Sequence, residues 1–337
     1  MPSARAADAY LVRLSESADG TQASGTSEGP ALSADGRYAA FTSSMPNLVT
    51  GDGNGVADVF VRDRQAGTTE RISVATGGGE AHGESRTPVI SNGGRFVAFV
   101  SSATDLVSGD GNGVIDVFVR DRQLGVTTVE SQGAAPPQDV GSSQPALNGD
   151  GRWLAFRSSA ENLVAGDTNL NDDIVVKDIG GNDAIRRVSA GALEQQADSF
   201  SGPHLAISDD GLYVGLSNAV NLVRPDSNET FDVFVRYALT PTIDTVSPST
   251  IARGSTTTVA VDGSGFLPTA TASASFFTAP GVSVDAVAFV SQAQIQLTIS
   301  VAPDAATGPR ILTVTNPGTG PGPAAGASTL CECLTVS

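Results

Sequence analysis

Short runs of β-branched and aromatic residues alternating with small or polar ones recur along the chain, each ended by Gly, Pro, Asn or Asp. A period of two sends alternate side chains to opposite faces of a sheet, so these runs predict strands. Between residues 71 and 128 four appear, at 71–74, 88–91, 95–101 and 116–120. Asn92, Gly93 and Gly94 join the second to the third, and both residue types accept the positive φ of a tight hairpin. No window carries the 3.6-residue spacing of a substantial amphipathic helix, and 38 Gly and 18 Pro suit a chain of many turns. The pattern predicts an all-β protein.

The runs themselves repeat. Residues 51–64, GDGNGVADVFVRDR, return at 109–122 as GDGNGVIDVFVRDR, with weaker copies at 166–178 and 225–236. A second marker, Asp35-Gly36-Arg37-Tyr38 in its first copy, has its glycine at Gly36, Gly94, Gly151 and Gly211, spacings of 58, 57 and 60 (36 to 94, 94 to 151, 151 to 211). Four strands in such a period is the size of a propeller blade, and one blade cannot bury both of its faces alone. The blades are predicted near 13–70, 71–128, 129–186 and 187–239. The last copy lacks the strand that follows in the others, whereas residues 9–15 fall 58 residues before 71–73. The prediction is a β-propeller of about four blades closed by the N-terminal strand; an incomplete ring that pairs with a second copy is the alternative.

The Ser-x-Asp-Gly-Arg-x-x-Ala-Phe run followed by Asp-Val-Phe-Val-Arg-Asp resembles the WD-like blade repeats of TolB-like β-propellers, over about residues 8–238. That resemblance implies a fold and is nearly silent about function; TolB-like rings more often have six blades. Beyond Tyr237 the period stops, which divides the chain into 1–239 and 240–337. Runs at 256–261, 286–290, 294–300, 310–315 and 330–336 predict a small Ig-like β-sandwich, with a flexible Gly/Pro/Ala connection at 318–326. Ile243, Val246-Ser247-Pro248, Gly254, Val259, the Gly263-Ser264-Gly265-Phe266 turn and 314–318 resemble an IPT/TIG immunoglobulin-like domain. Cys331 and Cys333 stand two apart on a predicted strand, a spacing too long for an easy internal disulfide, so two half-buried thiols are expected, with intermolecular pairing or metal capture as alternatives.

A net charge of -17 repels phosphate backbones and anionic lipid, and Lys177 is the one lysine. Nucleic acid is a poor partner, and no apolar run is long enough to span a membrane. Both resemblances are to domains common in exported bacterial proteins, so an extracellular or periplasmic location is expected, without a signal peptide visible in 1–21.

Candidate chemistry centres on Asp-x-Asn-x-x-x-Asp, present in every blade: Asp52, Asn54, Asp58; Asp110, Asn112, Asp116; Asp167, Asn169, Asp173; Asp226, Asn228, Asp232. Oxygen ligands at positions 1, 3 and 7 of a tight loop are how calcium loops collect hard donors. The same residues also form Asx turns and cap strands, so calcium and purely structural roles both stand. His82 and His204, the only histidines, read as surface residues rather than bases. Residues 25–29, GTSEG, match a nucleophile elbow in letters but lack its strand and helix, and read as a polar turn. Ser33-Ala34-Asp35-Gly36 resembles the Asp-box of sialidases but lacks the trailing Gly-x-Thr-Trp, and boxes of that kind are structural. The expectation is a non-enzymatic binding protein taking a protein or glycan ligand, as a monomer or a ring-completing dimer; a hydrolytic or carbohydrate-active enzyme using channel carboxylates is the rival.

Overall fold

The computed structural model describes residues 11–17, 20–21, 24–132, 141–181, 183–190, 196–197, 204–218, 222, 230, 232–237, 241–266, 270–275, 281–291, 293–316 and 328–337. Among them there is no helix. The chain divides into two compact units, Met1–Arg236 and Tyr237–Ser337.

The first unit is a row of meandering sheets. Strands β1 (Ser27–Leu32), β2 (Tyr38–Ser43), β3 (Asp58–Asp63) and β4 (Thr68–Arg71) form the first module, in chain order. β5 (Ser85–Ile90) to β8 (Val126–Val129), through β6 (Phe96–Ser101) and β7 (Asp116–Asp121), form the second; β9 (Ser142–Leu147), β10 (Trp153–Ser158), β11 (Asp173–Asp178) and β12 (Ile185–Arg187) form the third. β13 (Leu205–Ile207), β14 (Tyr213–Asn218) and β15 (Asp232–Tyr237) make a three-stranded fourth sheet among the described residues. The strand expected at 71–74 ends instead at Arg71. Beyond it the Ser73 hydroxyl accepts the Val59 N–H (3.0 Å) and donates to Asp58 (2.5 Å), so a side chain takes over where backbone pairing stops.

Both faces of each central strand are used. Val59 and Val61 of β3 pack with Val97, Phe99 and Phe118 of the second module, while Val117 and Val119 point the other way, against Leu154, Phe156 and Val175 of the third. Each such side chain withdrawn from water contributes about 1.5–3 kcal/mol, which is why one module is not stable without its neighbours. Hairpin tips add a second link. The Ala34 N–H donates to the Asn92 carbonyl (3.1 Å), the Asn92 N–H to Gly149 (2.8 Å) and the Gly149 N–H to Asp209 (2.9 Å), a backbone chain through four equivalent positions. The marker glycine of each later module lies on the aromatic ring of the module before: a Cβ at Gly94 would stand 2.2 Å from Tyr38, at Gly151 2.3 Å from Phe96, and at Gly211 2.5 Å from Trp153. The aromatic-after-Arg pattern is thus a packing surface for the next glycine.

The N-terminal strand expected to complete the fourth sheet is not found among the described residues. Tyr10 lies outside them, and Leu11–Leu14 carry no strand. β15 ends its sheet, with Val233 82% and Val235 67% exposed, whereas the equivalent Val59, Val61, Val117, Ile174 and Val176 are buried.

In the second unit, β16 (Thr242–Ser247), β18 (Thr256–Ser264), β21 (Gln294–Val301) and β20 (Val282–Ser291) form one sheet. β17 (Thr250–Ile251), β23 (Ser328–Val336), β22 (Gly308–Thr315) and β19 (Thr271–Ser275) form the other. Val259, Val261, Leu297 and Ile299 from the first share one core with Ile251, Leu312, Val314 and Leu334 from the second. The stretch 318–326 lies outside the described residues. Cys331 and Cys333 are joined as a disulfide, contrary to the expectation of two thiols. The reason is a bulge: β22 advances two residues from Arg310 to Leu312 while β23 passes from Leu334 to Cys331, and the kinked segment brings the two Cα atoms to 5.2 Å.

Candidate carboxylate loops

The Asp-x-Asn-x-x-x-Asp segments lie just before the third strand of each module, so the last Asp opens β3, β7, β11 and β15. In the first module the Asn54 carboxamide oxygen accepts the Val56 N–H (3.0 Å), which forms the tight turn, and its NH2 donates to Asp58 (2.9 Å) and to the Ala81 carbonyl (2.8 Å). Asp58 is fully buried and also takes the Ser73 hydroxyl. Between the two carboxylates stands a residue of β4. Arg71 Nη1 is 3.5 Å from Asp52, 3.6 Å from Asp58 and 2.5 Å from Glu80, while Nη2 donates to the Gly51 carbonyl (3.0 Å). Burial pushes the Asp58 carboxyl up against the opposing pull of Ser73, Asn54 and Arg71; Asp52 is also raised, by burial first and the Asp58 charge second. Glu80 is held low, chiefly by the Gly53 N–H and Arg71.

The third module repeats the arrangement. Arg187 of β12 lies 2.7 Å from Asp173 and 3.2 Å from Asp167, ion contacts without hydrogen-bond alignment, and Ser189 donates to Asp173 (2.5 Å). Burial raises the Asp173 carboxyl to about 6 even so. The Asn169 oxygen accepts the Asn171 N–H (3.2 Å).

The second module keeps the loop and loses the cation. Asn112 donates to Asp116 (3.0 Å) and accepts the Val114 N–H (3.2 Å), and Ser131 donates to Asp116 (2.6 Å). The position of Arg71 and Arg187, opposite the middle residue of the third strand, is held here by Val129, which pairs with Phe118 as Arg71 pairs with Phe60. Asp110 and Asp116 make no ion pair among the described residues, and the Asp110 Oδ1 atom is buried without a hydrogen-bond partner. Desolvation, then the Asp116 charge, pushes the Asp110 carboxyl up to about 6 against the opposing pull of the Asn112 backbone N–H. Asp226 and Asn228 lie outside the described residues; Asp232 is exposed at the start of β15.

Sequence reasoning missed the arginines and serines behind these loops. Their signal was present as Arg71-Ile72-Ser73, Val129-Glu130-Ser131 and Arg187-Val188-Ser189, a third marker of the same period. A related pairing uses the marker arginine: Arg37 reaches Asp63, Arg95 reaches Asp121 and Arg152 reaches Asp178, at 2.7, 2.7 and 2.8 Å.

Other candidates resolve into structure. Residues 25–29 are not a free turn: Ser27 is on β1 and donates to Ser43 (2.9 Å), as Ser85 does to Ser101 and Ser142 to Ser158. Asp35 accepts the Ser33 hydroxyl and the Arg37 N–H within its hairpin. His82 is exposed and pairs with Asp105 (2.5 Å), which raises its pKa; His204 is exposed. Among the surface depressions are one of about 400 Å³ and one of about 300 Å³. The larger has only Gly, Ser, Thr, Val, Ala and Pro around it; the charged groups of the smaller are Glu28, Glu84 and Arg86, the last two paired at 2.5 Å.

No helix among the described residues is long and apolar enough to cross a membrane. No protein-family model matches the sequence, and no curated protein matches it. Solved structures similar to the chain are β-propellers of the TolB-like and WD40 kinds. A putative TolB from Agrobacterium tumefaciens is 13% identical with a TM-score of 0.40, over 92% of this chain and 82% of that one. An oligogalacturonate lyase in complex with manganese is 11% identical, TM-score 0.38, over 89% and 74%. The β-propeller domain of Myceliophteria thermophila Cps50 (Swd1) is 11% identical, TM-score 0.32, over 58% and 51%. The architecture stated above rests on the sheets and their packing rather than on these likenesses.

Proposed function

We propose that the protein is a non-catalytic, exported binding or scaffold protein: a propeller of about four blades that presents an association surface, followed by an IPT/TIG-type Ig-like spacer. The observation that carries this reading is the end of the row. A strand written Asp-Val-Phe-Val-Arg is buried in the first two modules and bare in the fourth, where Val233 and Val235 are exposed and β15 is an edge strand without a further partner among the described residues. Such an edge recruits another strand, because main-chain hydrogen bonds supply affinity and alternate side chains supply specificity. The occupant in this reading is an extended protein segment: the N-terminal run of the same chain, that of a second copy, or a partner protein. A glycan ligand would instead use the faces of the modules. Support for a non-catalytic role is that the buried carboxylates of the first and third modules are neutralised by Arg71 and Arg187, an arrangement that holds a loop in place. An acidic surface with one lysine suits an extracellular or periplasmic setting away from nucleic acid.

The test has two arms. Light scattering coupled to size exclusion compares the full chain with Val233→Lys/Val235→Lys; the expected result is loss of self-association or of a bound segment with unchanged circular dichroism. A panel of glycoside hydrolase, polysaccharide lyase, esterase and peptidase substrates is expected to show no turnover. Turnover, or indifference to the lysines, overturns the reading.

A further inference from the structure

We propose that the second module binds one hard divalent cation, calcium by its donor set, between Asp110 and Asp116, where the first and third modules place a guanidinium. This narrows the calcium reading of the repeated loops to a single module and stands independently of the scaffold reading.

Three observations converge. The first two loops are near-identical in sequence and in their Asn-to-Asp bond, and the third keeps the same Asp, Asn and Asp positions; in the first and third a buried positive group lies within 4 Å of both loop carboxylates. The second module has Val129 at that register position, with the two carboxylates retained. Finally, Asp110 is 6% exposed, and among the described residues its Oδ1 atom has neither a hydrogen bond nor an ion pair, whereas its counterparts Asp52 and Asp167 face an arginine. Leaving two buried carboxylates with no counter-charge is costly, and a group in that state protonates or gains a cation.

The chemistry of the pocket selects the ion. The available donors are carboxylate oxygens: Asp110 Oδ1 is bare, and Asp116 is already oriented by Ser131 and Asn112. All-oxygen, anionic donors suit calcium better than a transition metal, for which no imidazole or thiolate is at hand among the described residues. With two carboxylates rather than the four or five acidic or carbonyl ligands of a tight loop, the affinity expected is that of weak extracellular modules, roughly 10⁻⁴–10⁻³ M. The Asn112 oxygen stays with the Val114 N–H and is not a ligand here.

Isothermal titration of the full chain with CaCl2, and separately MgCl2, reads stoichiometry directly. One calcium per chain is expected, with magnesium binding more weakly. Val129→Arg restores the arginine of the sister modules and is expected to abolish binding while raising the melting temperature in EDTA. Asp110→Asn, which removes the charge with little change of shape, is expected to weaken binding at least tenfold, while Asp52→Asn leaves it unchanged. The proposal is overturned by absence of binding at millimolar calcium in the native chain, by binding that survives Asp110→Asn, or by calcium bound equally at several modules. The association test above uses Val233 and Val235 and reads mass, so failure of either idea leaves the other standing.

Discussion

Replacing Arg71 with Met is the sharpest probe of how these modules are held. The guanidinium is 9% exposed and is the only positive group within 4 Å of Asp52 or Asp58 among the described residues, with those carboxylates 5% and 0% exposed. Methionine fills much of the volume of the side-chain stem, so the change removes the charge together with the Glu80 and Gly51 contacts and little packing. Asp58 keeps Ser73 and Asn54, but the pair then holds two uncompensated charges away from water. Breaking a buried ion pair by deleting one partner costs about 3–5 kcal/mol. At about 2–4 °C per kcal/mol for a unit of this size, the melting temperature is expected to fall by roughly 6–20 °C in calorimetry at pH 7. The loss should shrink in acid, because both carboxyls are already raised. Below the ordinary carboxylate range they are neutral in the folded and unfolded chain alike, and the penalty for the missing arginine disappears. Asp52→Asn/Arg71→Met is expected to recover part of the stability. A loss below about 1 kcal/mol, the level of an exposed pair, would refute the argument that Arg71 neutralises the loop.

Gly94→Ala puts a Cβ into the Tyr38 ring and forces φ +72 on alanine, so a loss of about 2–4 kcal/mol is expected by urea denaturation. Gly36→Ala carries similar φ (+66) but meets only the flexible end of Arg64, and about 1–2 kcal/mol is expected; equal losses would remove the glycine-on-ring contact from the account. Asp63 and Asp121 are held below the usual carboxylate range, chiefly by hydrogen bonds from Arg37 and Arg95. Their contribution is present above about pH 4 and is lost as pH falls through the lowered folded values, so Arg37→Met/Arg95→Met should flatten the acid limb of the stability curve. Alkylation under denaturing conditions should find no free thiol before reduction and two after it, with little change in melting temperature on reduction, since the loop closed by Cys331 and Cys333 is too short to restrict the unfolded chain much.

What the amino-acid order determined was local and periodic. Alternation placed the strands, Gly94 and Gly151 marked hairpins because few other residues accept positive φ, and recurrence of the 51–64 run announced equivalent sheets. Those signals lie within a few residues of what they control. The carboxylate loops were likewise visible as a pattern, but their meaning was not, since Arg71 and Asp52 meet only after β3 and β4 pair in a particular register. Tertiary structure alone decided that Gly94 rests on Tyr38, a contact across an interface between modules. It also decided that Val129 leaves Asp110 without a counter-charge among the described residues and that a bulge in β23 brings two cysteines together. Each of these is a matter of distance between groups far apart in sequence or shifted by one residue in register. The free energy of a charge or a close contact depends on that distance and on the exclusion of water, neither of which exists until the sheets have packed.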